Sequence, residues 1–382
     1  MTVGELEALI DEIAPRSLAA EWDNVGLLMG DPSAELGRSL FALDLNHSSI
    51  SEAVQVGAGA ICVHHPPIFT PMKTVVSSDP VGSLILRAAA EGVSVIAAHT
   101  NLDAAVGGVN DLLAQSLGIQ ESTPLLPSES EPRLKLVVFV PAEAVEAVRL
   151  ALADAGCGRI GEYSSCSFSA PGRGSFLPSD SADPHVGERG RLSEVDESRL
   201  EMILPVSGVS AAIEAMIEAH PYEEVAYDIY RLHDLPSERS SVSGMGRVGE
   251  IGRAEELGSI VQRWGRGLGA RSWRVSGDAS RVISRVACCG GSGSSVLAAA
   301  GAAGADVLVA GELSYHDYLL AESIGVSLVT FGHDITEAPA MADLASRVQT
   351  LAGERGMNID CVASADAPSS WQWGHERQGE SD

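Results

Sequence analysis

Apolar positions near the start of the chain recur at helical spacing. Leu6, Leu9, Ile10 and Ile13 share one face and predict an amphipathic helix over residues 3–14. Short apolar runs and helical segments then alternate. The strands are predicted at Leu40–Leu45, Ala60–Val63 and Val93–Ala98, and the helices at 48–57, 81–91 and 108–117. Strands that alternate with helices indicate α/β units around a largely parallel sheet.

The pattern changes near residue 121. Residues 121–133 are rich in Pro, Ser and Glu and predict a linker, and residues 233–245 predict another. Between them, two strand–helix units resemble each other weakly and indicate a small α+β module. Its segments are the strand LKLVVFVP, a helix at 142–155, a Gly- and Ser-rich stretch at 156–192, the strand LEMILPV, a helix at 208–219 and the strand VAYDIYRL.

The α/β rhythm returns after residue 246, with strands predicted at Ala305–Ala310 and Val326–Phe331 and a helix at 335–352. We therefore predict an α/β fold in which an α+β domain interrupts an outer α/β domain. The two halves of the outer domain have similar element orders, which suggests an internal pseudo-repeat. The predicted bounds are 1–125 with 246–366 for the outer domain, 126–245 for the insert and 367–382 for a polar, flexible tail.

Composition and charge narrow the function classes. No apolar run reaches 18 residues, which argues against a membrane span. The segment MTVGELEALIDEIAP has no basic region followed by an apolar stretch, so we expect no secretory signal and a cytoplasmic location. The formal net charge of −27 repels phosphate backbones and argues against nucleic-acid binding. It leaves room for a local pocket that accepts one phosphate.

Adjacent histidines end one predicted strand. His64 and His65 close the run ICVHH, and Pro66 and Pro67 follow directly. In an open α/β sheet this end of the strand faces the functional crevice. The prolines bend and stiffen the loop, so both rings can reach one shared volume. The alternative is a pair of histidines that merely caps a strand, which is common for one histidine and less so for two.

A second strand end carries His99 and Asp103, in the segment VIAAHTNLDAA. A carboxylate beside histidines is typical of a ligand that bridges two cations. The alternative for Asp103 is a helix cap, but it precedes Gly107 by too much for a simple cap. The role of His99 has three alternatives: it binds a metal ion, it orients a residue that does, or it contacts the substrate.

A third strand end leads into SLVTFGHDITEAP, where His333 and Glu337 are spaced i, i+4. They share a face if the helix starts near 333. In GELSYHDYLLAE, Glu312 and His316 are candidates either for orienting a metal ligand or for proton transfer near the metals, with a helix-surface position as the equal alternative for His316. The run GGSGSS at 290–295 predicts either an anion cradle or, with somewhat more weight, an ordinary tight turn.

Together these segments resemble the NIF3 family, also labelled GTP cyclohydrolase type 2-like. The segments that carry the resemblance are WDNVGLLMGDP, HHPPIF, AHTNLDAA, AGELSYHD and FGHDITE. Residues 134–231 resemble the family's optional insert through GRIGEYSSCSF and HPYEEVAYDIY. One departure is Pro67, where the family commonly has an aliphatic residue.

The resemblance implies a dinuclear metal site. The five positions that match the family's ligands are His64, His65, Asp103, His333 and Glu337. It also implies a homohexamer built as a ring of two stacked trimers, with the insert folded like the PII and CutA proteins. Mixed histidine and carboxylate ligands suit Zn, Fe, Mn or Co.

The first hypothesis for function is a metal-dependent hydrolase that acts on a nucleotide, as the family label GTP cyclohydrolase implies. Glu312 and His316 would then pass protons. The alternative is a non-catalytic metal-binding protein, or a scaffold or regulatory ring. An open coordination position distinguishes them, since hydrolysis requires one and a structural site is closed.

Overall fold

The computed structural model describes residues 1–128, 133–160, 163–232 and 242–365. The chain forms two compact units, an outer unit of Met1–Ser128 with Ser241–Asp382 and an inserted unit of Glu129–Ser240. The tail predicted at 367–382 and most of the linker predicted at 233–245 lie outside the described residues. Within the described ranges, no helix is long and apolar enough to cross a membrane.

The first half of the outer unit alternates helices and strands. Val63 of the third strand lies opposite Ala42 and Ala97 of its parallel neighbours, which aligns the carboxyl ends of the three strands. The Thr2 side chain begins the first helix by accepting a hydrogen bond from the backbone N–H of Glu5. The elements are α1 (Val3–Ile13), β1 (Gly26–Met29), β2 (Arg38–Asp44), α2 (His47–Val56), β3 (Ala60–His65), α3 (Pro80–Ala90), β4 (Ser94–Ala97), α4 (Thr100–Ala104), α5 (Val109–Leu117), β5 (Ile119–Thr123) and β6 (Leu126–Pro127).

The inserted unit has its own sheet and core. Its elements are β7 (Arg133–Pro141), α6 (Val145–Asp154), β8 (Ser167–Phe176), β9 (Ser193–Pro205), α7 (Val209–Ala219) and β10 (Tyr227–Arg231). The strands are antiparallel in the order β10-β7-β9-β8. This βαββαβ topology is ferredoxin-like, which confirms the predicted α+β insert. Leu136, Val138, Val148 and Leu152 are among the buried residues of its core.

The second half of the outer unit repeats the order of the first. The elements are β11 (Gly244–Met245), β12 (Arg247–Glu256), α8 (Leu257–Gly267), β13 (Arg274–Ser276), β14 (Val282–Ser292), α9 (Leu297–Ala302), β15 (Val307–Glu312), α10 (Tyr315–Ile324), β16 (Ser327–Thr330), α11 (His333–Glu354) and β17 (Asp360–Ala363). In each half a helix and a strand precede three parallel strands that two helices connect. The predicted pseudo-repeat is therefore present.

The outer unit contains two large sheets, with strand orders β1-β4-β3-β2-β17 and β13-β16-β15-β14-β12-β5, and a two-stranded sheet of β11 and β6. In each large sheet the preceding strand, β1 or β13, joins the last parallel strand in antiparallel orientation. Helix α11 contacts strands of both large sheets. Its buried residues Met341, Leu344 and Val348 pack in one core with Leu6 and Phe41 from the first half. This helix therefore joins the two halves.

The structure corrects several local predictions. The linker predicted at 121–133 contains β6 and the end of β5, which pair with β11 and β12. The Gly- and Ser-rich stretch at 156–192 contains β8, an edge strand whose residues are mostly exposed. Polar edge strands lack the apolar alternation that identifies a strand in sequence, so the pattern missed them. The last long helix starts at His333, two residues earlier than predicted.

Candidate metal centre

The end of β3 carries His64 and His65, whose ring centroids lie 5.1 Å apart. The Nδ1 atom of His64 lies 2.8 Å from the carbonyl oxygen of Ala98. A carbonyl can only accept, so Nδ1 carries a proton, and in the neutral ring that binds metal Nε2 keeps its lone pair. The Nδ1 atom of His65 lies 2.8 Å from Oδ1 of Asp44, which fixes that ring in the same way. Both imidazoles therefore turn Nε2 towards the same volume.

Asp103 lies in the short helix α4, which follows β4, and its side chain is almost wholly buried. Its Oδ1 atom lies 3.6 Å from Nε2 of His64. Asp103 does not cap the next helix, since Gly108 occupies that position. The amide of Asn110 instead donates to the backbone oxygen of Asp103 and fixes the turn. The structure thus brings Asp103 to the histidine pair, as the sequence predicts.

Helix α11 presents His333 and Glu337 on one face, and their Nε2 and Oε2 atoms lie 3.1 Å apart. Gly290 and Gly291 of β14 pass directly beside this face. A Cβ atom at Gly291 would lie 2.0 Å from Oε1 of Glu337 and 2.9 Å from Nε2 of His333. Residue 291 must therefore be glycine for the Glu337 carboxylate to occupy its position.

Glu337 joins two sets of donor atoms. Its Oε1 atom lies 3.7 Å from Nε2 of His64, on the side of Asp103. Its Oε2 atom lies 3.0 Å from Nε2 of His65 and 3.1 Å from Nε2 of His333. The two sets that include Glu337 are His64 with Asp103, and His65 with His333; a third group of donor atoms joins His64, His65 and His99. Glu337 therefore has the bridging geometry that the sequence assigned to Asp103, whose Oδ1 lies on the His64 side.

Two buried atoms at this centre favour a cation. Nε2 of His64 and Oδ1 of Asp103 have no hydrogen-bond partner among the described residues. A buried polar atom without a partner is costly in free energy, and native structures satisfy almost all of them. A divalent ion between an imidazole lone pair and a carboxylate oxygen would satisfy both atoms. The donor set fits a metal site on this ground.

The charges of the cluster shift its ionisation. Burial raises the pKa of Asp103 to about 6, although His64 lowers it. Burial would also raise the pKa of Glu337, but the neighbouring histidines hold it well below its usual value. Burial lowers the pKa of His65, yet hydrogen bonds to Asp44 and Glu337 raise it to about 10 overall. Without an ion, protons on the histidines balance the carboxylates, and metal binding displaces those protons.

A fourth histidine belongs to the centre, and the sequence left its role open. The ring centroid of His99 lies 5.2 Å from His64 and 5.7 Å from His65. The Nδ1 atom of His99 lies 2.9 Å from Oδ1 of Asp23, which leaves Nε2 free on the other side. Hydrogen bonds from His99 and Thr100 overcome the effect of burial and lower the pKa of Asp23 to about 2.

Sequence reasoning missed Asp23 and Asp44 as partners of histidines. Asp44 ends β2, next to β3 in the sheet, so the rule for strand ends could have found it. Asp23 lies in the segment WDNVGLLMGDP, 76 residues before His99. The sequence leaves this segment open between a loop packed against the site and a simple turn, and the structure shows the loop, but the sequence does not pair Asp23 with His99. In each of the four histidines an oxygen atom lies close to Nδ1, and for His333 this oxygen belongs to Glu312. Such partners fix the tautomer of metal-binding histidines.

The two residues predicted to transfer protons lie in different places. Glu312 ends β15, and its Oε1 atom lies 3.2 Å from Nδ1 of His333. His316 is exposed on α10, where its ring contacts that of Tyr315. It is not among the residues that line the metal cleft. The structure therefore brings Glu312 to the cluster and leaves His316 on the helix surface.

The glycine-rich segment at 290–295 comprises the end of β14 and the start of a single 3-10 turn at Ser294–Val296, and three of its backbone donors are occupied. The N–H of Gly290 donates to Asn110, that of Gly291 to Thr336 and that of Gly293 to the carbonyl of Glu312. These three groups therefore cannot cradle an anion. The tight-turn alternative is the one observed, and the glycines serve to bring β14 close to Glu337.

A cleft of about 1020 Å³ opens onto the cluster. Its lining includes His65, His99 and His333 together with the aromatic residues Phe69 and Trp273. The volume is at the upper end of the range for small-molecule sites, which is roughly 300–1,000 Å³. The cluster is thus accessible to a substrate rather than sealed in the core.

The chain resembles proteins that carry a common family name. A family model described as Duf34/NIF3 (NGG1p interacting factor 3) matches residues 1–369. A relative from Bacillus subtilis, named GTP cyclohydrolase 1 type 2 homolog, is 42% identical over 85% of this chain and 86% of its own length. A relative of the same name from Mycobacterium tuberculosis is 36% identical over 96% of each chain.

Solved structures agree with the fold. The crystal structure of a Bacillus cereus protein related to NIF3 is 35% identical and superposes with a TM-score of 0.79, covering 98% of this chain and 99% of its own. The Staphylococcus aureus protein SA1388 is 28% identical, with a TM-score of 0.71 over 98% of this chain and 99% of its own. Sequence and structure together show that the chain belongs to the Duf34/NIF3 family.

Proposed function

We propose that the chain is a metal-dependent hydrolase that holds two divalent ions and acts on a nucleotide. The observation that carries the proposal is Glu337, whose two carboxylate oxygens face two different donor sets. His64 and Asp103 complete one set, and His65 and His333 complete the other. Zn, Fe, Mn and Co all suit this mixture of ligands. The relatives' name, GTP cyclohydrolase 1 type 2 homolog, supports a nucleotide as the substrate.

Bound divalent ions would supply a Lewis acid and lower the pKa of water towards neutrality. The protein residues orient the site around them. Asp44 holds His65, and the carbonyl of Ala98 holds His64, so neither ring needs to reorient when an ion binds. Such preorganisation lowers the cost of assembling the site.

His99 and Glu312 are the protein groups placed to move a proton beside the metals. Both line the cleft. Asp23 keeps Nδ1 of His99 protonated, so that Nε2 can accept or donate a proton from the cleft side. Glu312 holds His333 through Nδ1 and is itself exposed to solvent, which lets it exchange protons with water.

Metal analysis combined with turnover tests the proposal. The purified chain should contain two ions and hydrolyse GTP only after one of Zn, Fe, Mn or Co is restored. Glu337→Gln should lose most of both ions and all turnover, while Asp103→Asn should lose mainly one ion. His316→Ala is the matched control, because this exposed histidine lies outside the cleft lining. Full metal content in Glu337→Gln would refute the shared ligand, and metal without turnover would favour a non-catalytic metal-binding or scaffold role.

We also propose that the chain assembles as a homohexamer of two stacked trimers. Helix α10 supports association, because its apolar side chains are largely in solvent: Tyr315, Leu319, Leu320 and Ile324. Exposed apolar patches of this kind are typical of protein interfaces. Light scattering of the intact chain measures the assembly directly, and a monomer at micromolar concentration would contradict it.

A further inference from the structure

Two aromatic side chains stand in solvent at the edge of the metal centre. Trp22 is 61% exposed and Phe69 is 49% exposed. Their ring centroids are 5.5 Å apart, and both contact the ring of His99, at 6.3 and 6.5 Å. Phe69 also lines the cleft. Single exposed rings are common on protein surfaces, but two adjacent rings that also contact a histidine of the metal centre form an apolar patch of the kind found at ligand sites.

The residues that follow Trp22 anchor it in this position. Asp23 accepts hydrogen bonds from the backbone N–H and hydroxyl of Thr100 and lies beside His99. The side-chain amide of Asn24 donates to the carbonyl oxygen of Ile68, at 2.6 Å. This bond ties the Trp22 loop to the residue before Phe69. The aromatic pair is therefore preorganised, although neither ring is buried.

One arginine lines the cleft as well. Among the described residues that line it, Arg274 alone carries a permanent positive charge. Its guanidinium lies 5.7 Å from the centroid of the Tyr318 ring, which supports it. Acidic residues Asp44, Glu312 and Asp334 line the same cleft. In a chain of net charge −27, an arginine at this place favours an anionic substituent over a neutral one.

Resting on the proposed function, we propose that a planar heterocyclic ring of the substrate stacks on Trp22, with Phe69 beside it at an interplanar angle of 49° as a second wall of the same platform. Arg274 binds the phosphate of the same molecule. The substrate class is accordingly a nucleotide-like phosphate ester whose ring lies on the side of His99. Stacking accepts any flat ring, so the platform selects for aromatic character rather than for one base.

Binding measurements on metal-loaded protein test the two contacts separately. The probes are GMP, guanosine and ribose 5-phosphate, titrated by calorimetry into the wild type and the variants. We expect Trp22→Ala to weaken GMP and guanosine about tenfold and to leave ribose 5-phosphate unchanged. We expect Arg274→Gln to weaken GMP and ribose 5-phosphate about tenfold and to leave guanosine unchanged. Trp22→Phe keeps a ring and should restore most of the affinity for guanosine.

The matched control is Tyr163→Ala, which removes an aromatic ring that is 76% exposed in the inserted unit. It should leave all three affinities unchanged. Unchanged affinity for guanosine in Trp22→Ala would overturn the platform, and so would equal weakening of ribose 5-phosphate. If Trp22→Ala instead alters the mass of the assembly in light scattering while ligand affinity stays constant, the ring is a subunit contact and the proposal is wrong.

These outcomes are distinct from failure of the proposed hydrolase. GMP that binds through Trp22 and Arg274 without any metal-dependent turnover of GTP would sustain the platform and refute hydrolysis. Metal-dependent turnover with an unchanged KM in Trp22→Ala would sustain hydrolysis and refute the platform.

Discussion

Gly291 offers a way to disturb the metal centre without removing a ligand. In Gly291→Ala, the new Cβ would lie 2.0 Å from Oε1 of Glu337, whereas ordinary contact begins near 3.4 Å. The carboxylate oxygen must therefore retreat by about 1.4 Å. Metal–ligand distances hold to within roughly 0.2 Å, so this oxygen can no longer serve as a ligand. We expect the variant to lose at least one ion per chain.

The backbone cost of the substitution is separable from the clash. Gly291 has a φ of +57°, and an alanine in this region costs about 1–2 kcal/mol. Gly57 is the matched control, because its φ is +72° and no atom lies within 4 Å of its Cβ position. Gly57→Ala should bear the same backbone cost and keep all its metal.

Metal analysis and urea unfolding of the metal-free proteins measure the two effects. The stability of Gly57→Ala should fall by about 1–2 kcal/mol, and that of Gly291→Ala by at least as much. Only Gly291→Ala should lose metal. The reasoning fails if Gly291→Ala retains the metal content of the wild type, because Glu337 would then not be a required ligand in its present position.

Three further predictions concern charge. At pH 8, metal binding should release at least one proton per chain, because the pKa of His65 is raised to about 10 without metal and a histidine must be neutral to bind an ion. Calorimetry in two buffers of different ionisation enthalpy counts the released protons, and a count of zero would contradict the prediction. Asp23→Asn should lower the free energy of unfolding by about 2 kcal/mol above pH 4. The difference between wild type and variant should vanish as the pH falls through the lowered pKa of about 2, and urea unfolding at a series of pH values measures it. Arg247→Ala should destabilise the chain by about 3 kcal/mol by leaving Asp111 without its buried partner, and a urea-unfolding change below about 1 kcal/mol would disprove the importance of that pair.

The sequence predicted much of the centre because of one regularity. In parallel sheets the carboxyl ends of neighbouring strands share an edge, which explains why His64 at the end of β3 and Asp103 after β4 lie together. His333 also follows a strand end, but its strand β16 belongs to the other sheet, and helix α11 brings it to the first. The same regularity does not say which carboxylate is shared. That depends on the position of Glu337 relative to β3, for which the absence of a side chain at Gly291 leaves the space.

Contacts across long loops could not be predicted. Asp23 reaches His99 from a loop without periodicity, and β13 becomes a strand only because β16 offers it an edge. Strand β8 contains Pro171 and Gly172 and is mostly exposed, so its register with β9 decides its conformation. Tertiary context outweighs local preference in these segments.

The donor atoms are divided between the two halves of the outer unit, so ion affinity depends on how closely the two halves pack. His64 and Asp103 come from one half, and His333 and Glu337 from the other, through the single helix α11. Ion binding and the packing of α11 on the five-stranded sheet are therefore thermodynamically linked. The ions stabilise this packing by a certain free energy, and a change that abolishes the packing must weaken ion binding by the same free energy. Neither half on its own contains all three members of either set that includes Glu337, whereas His64, His65 and His99 all belong to the first half. Separating the halves would therefore remove both sets that share Glu337 and leave only the group of three histidines.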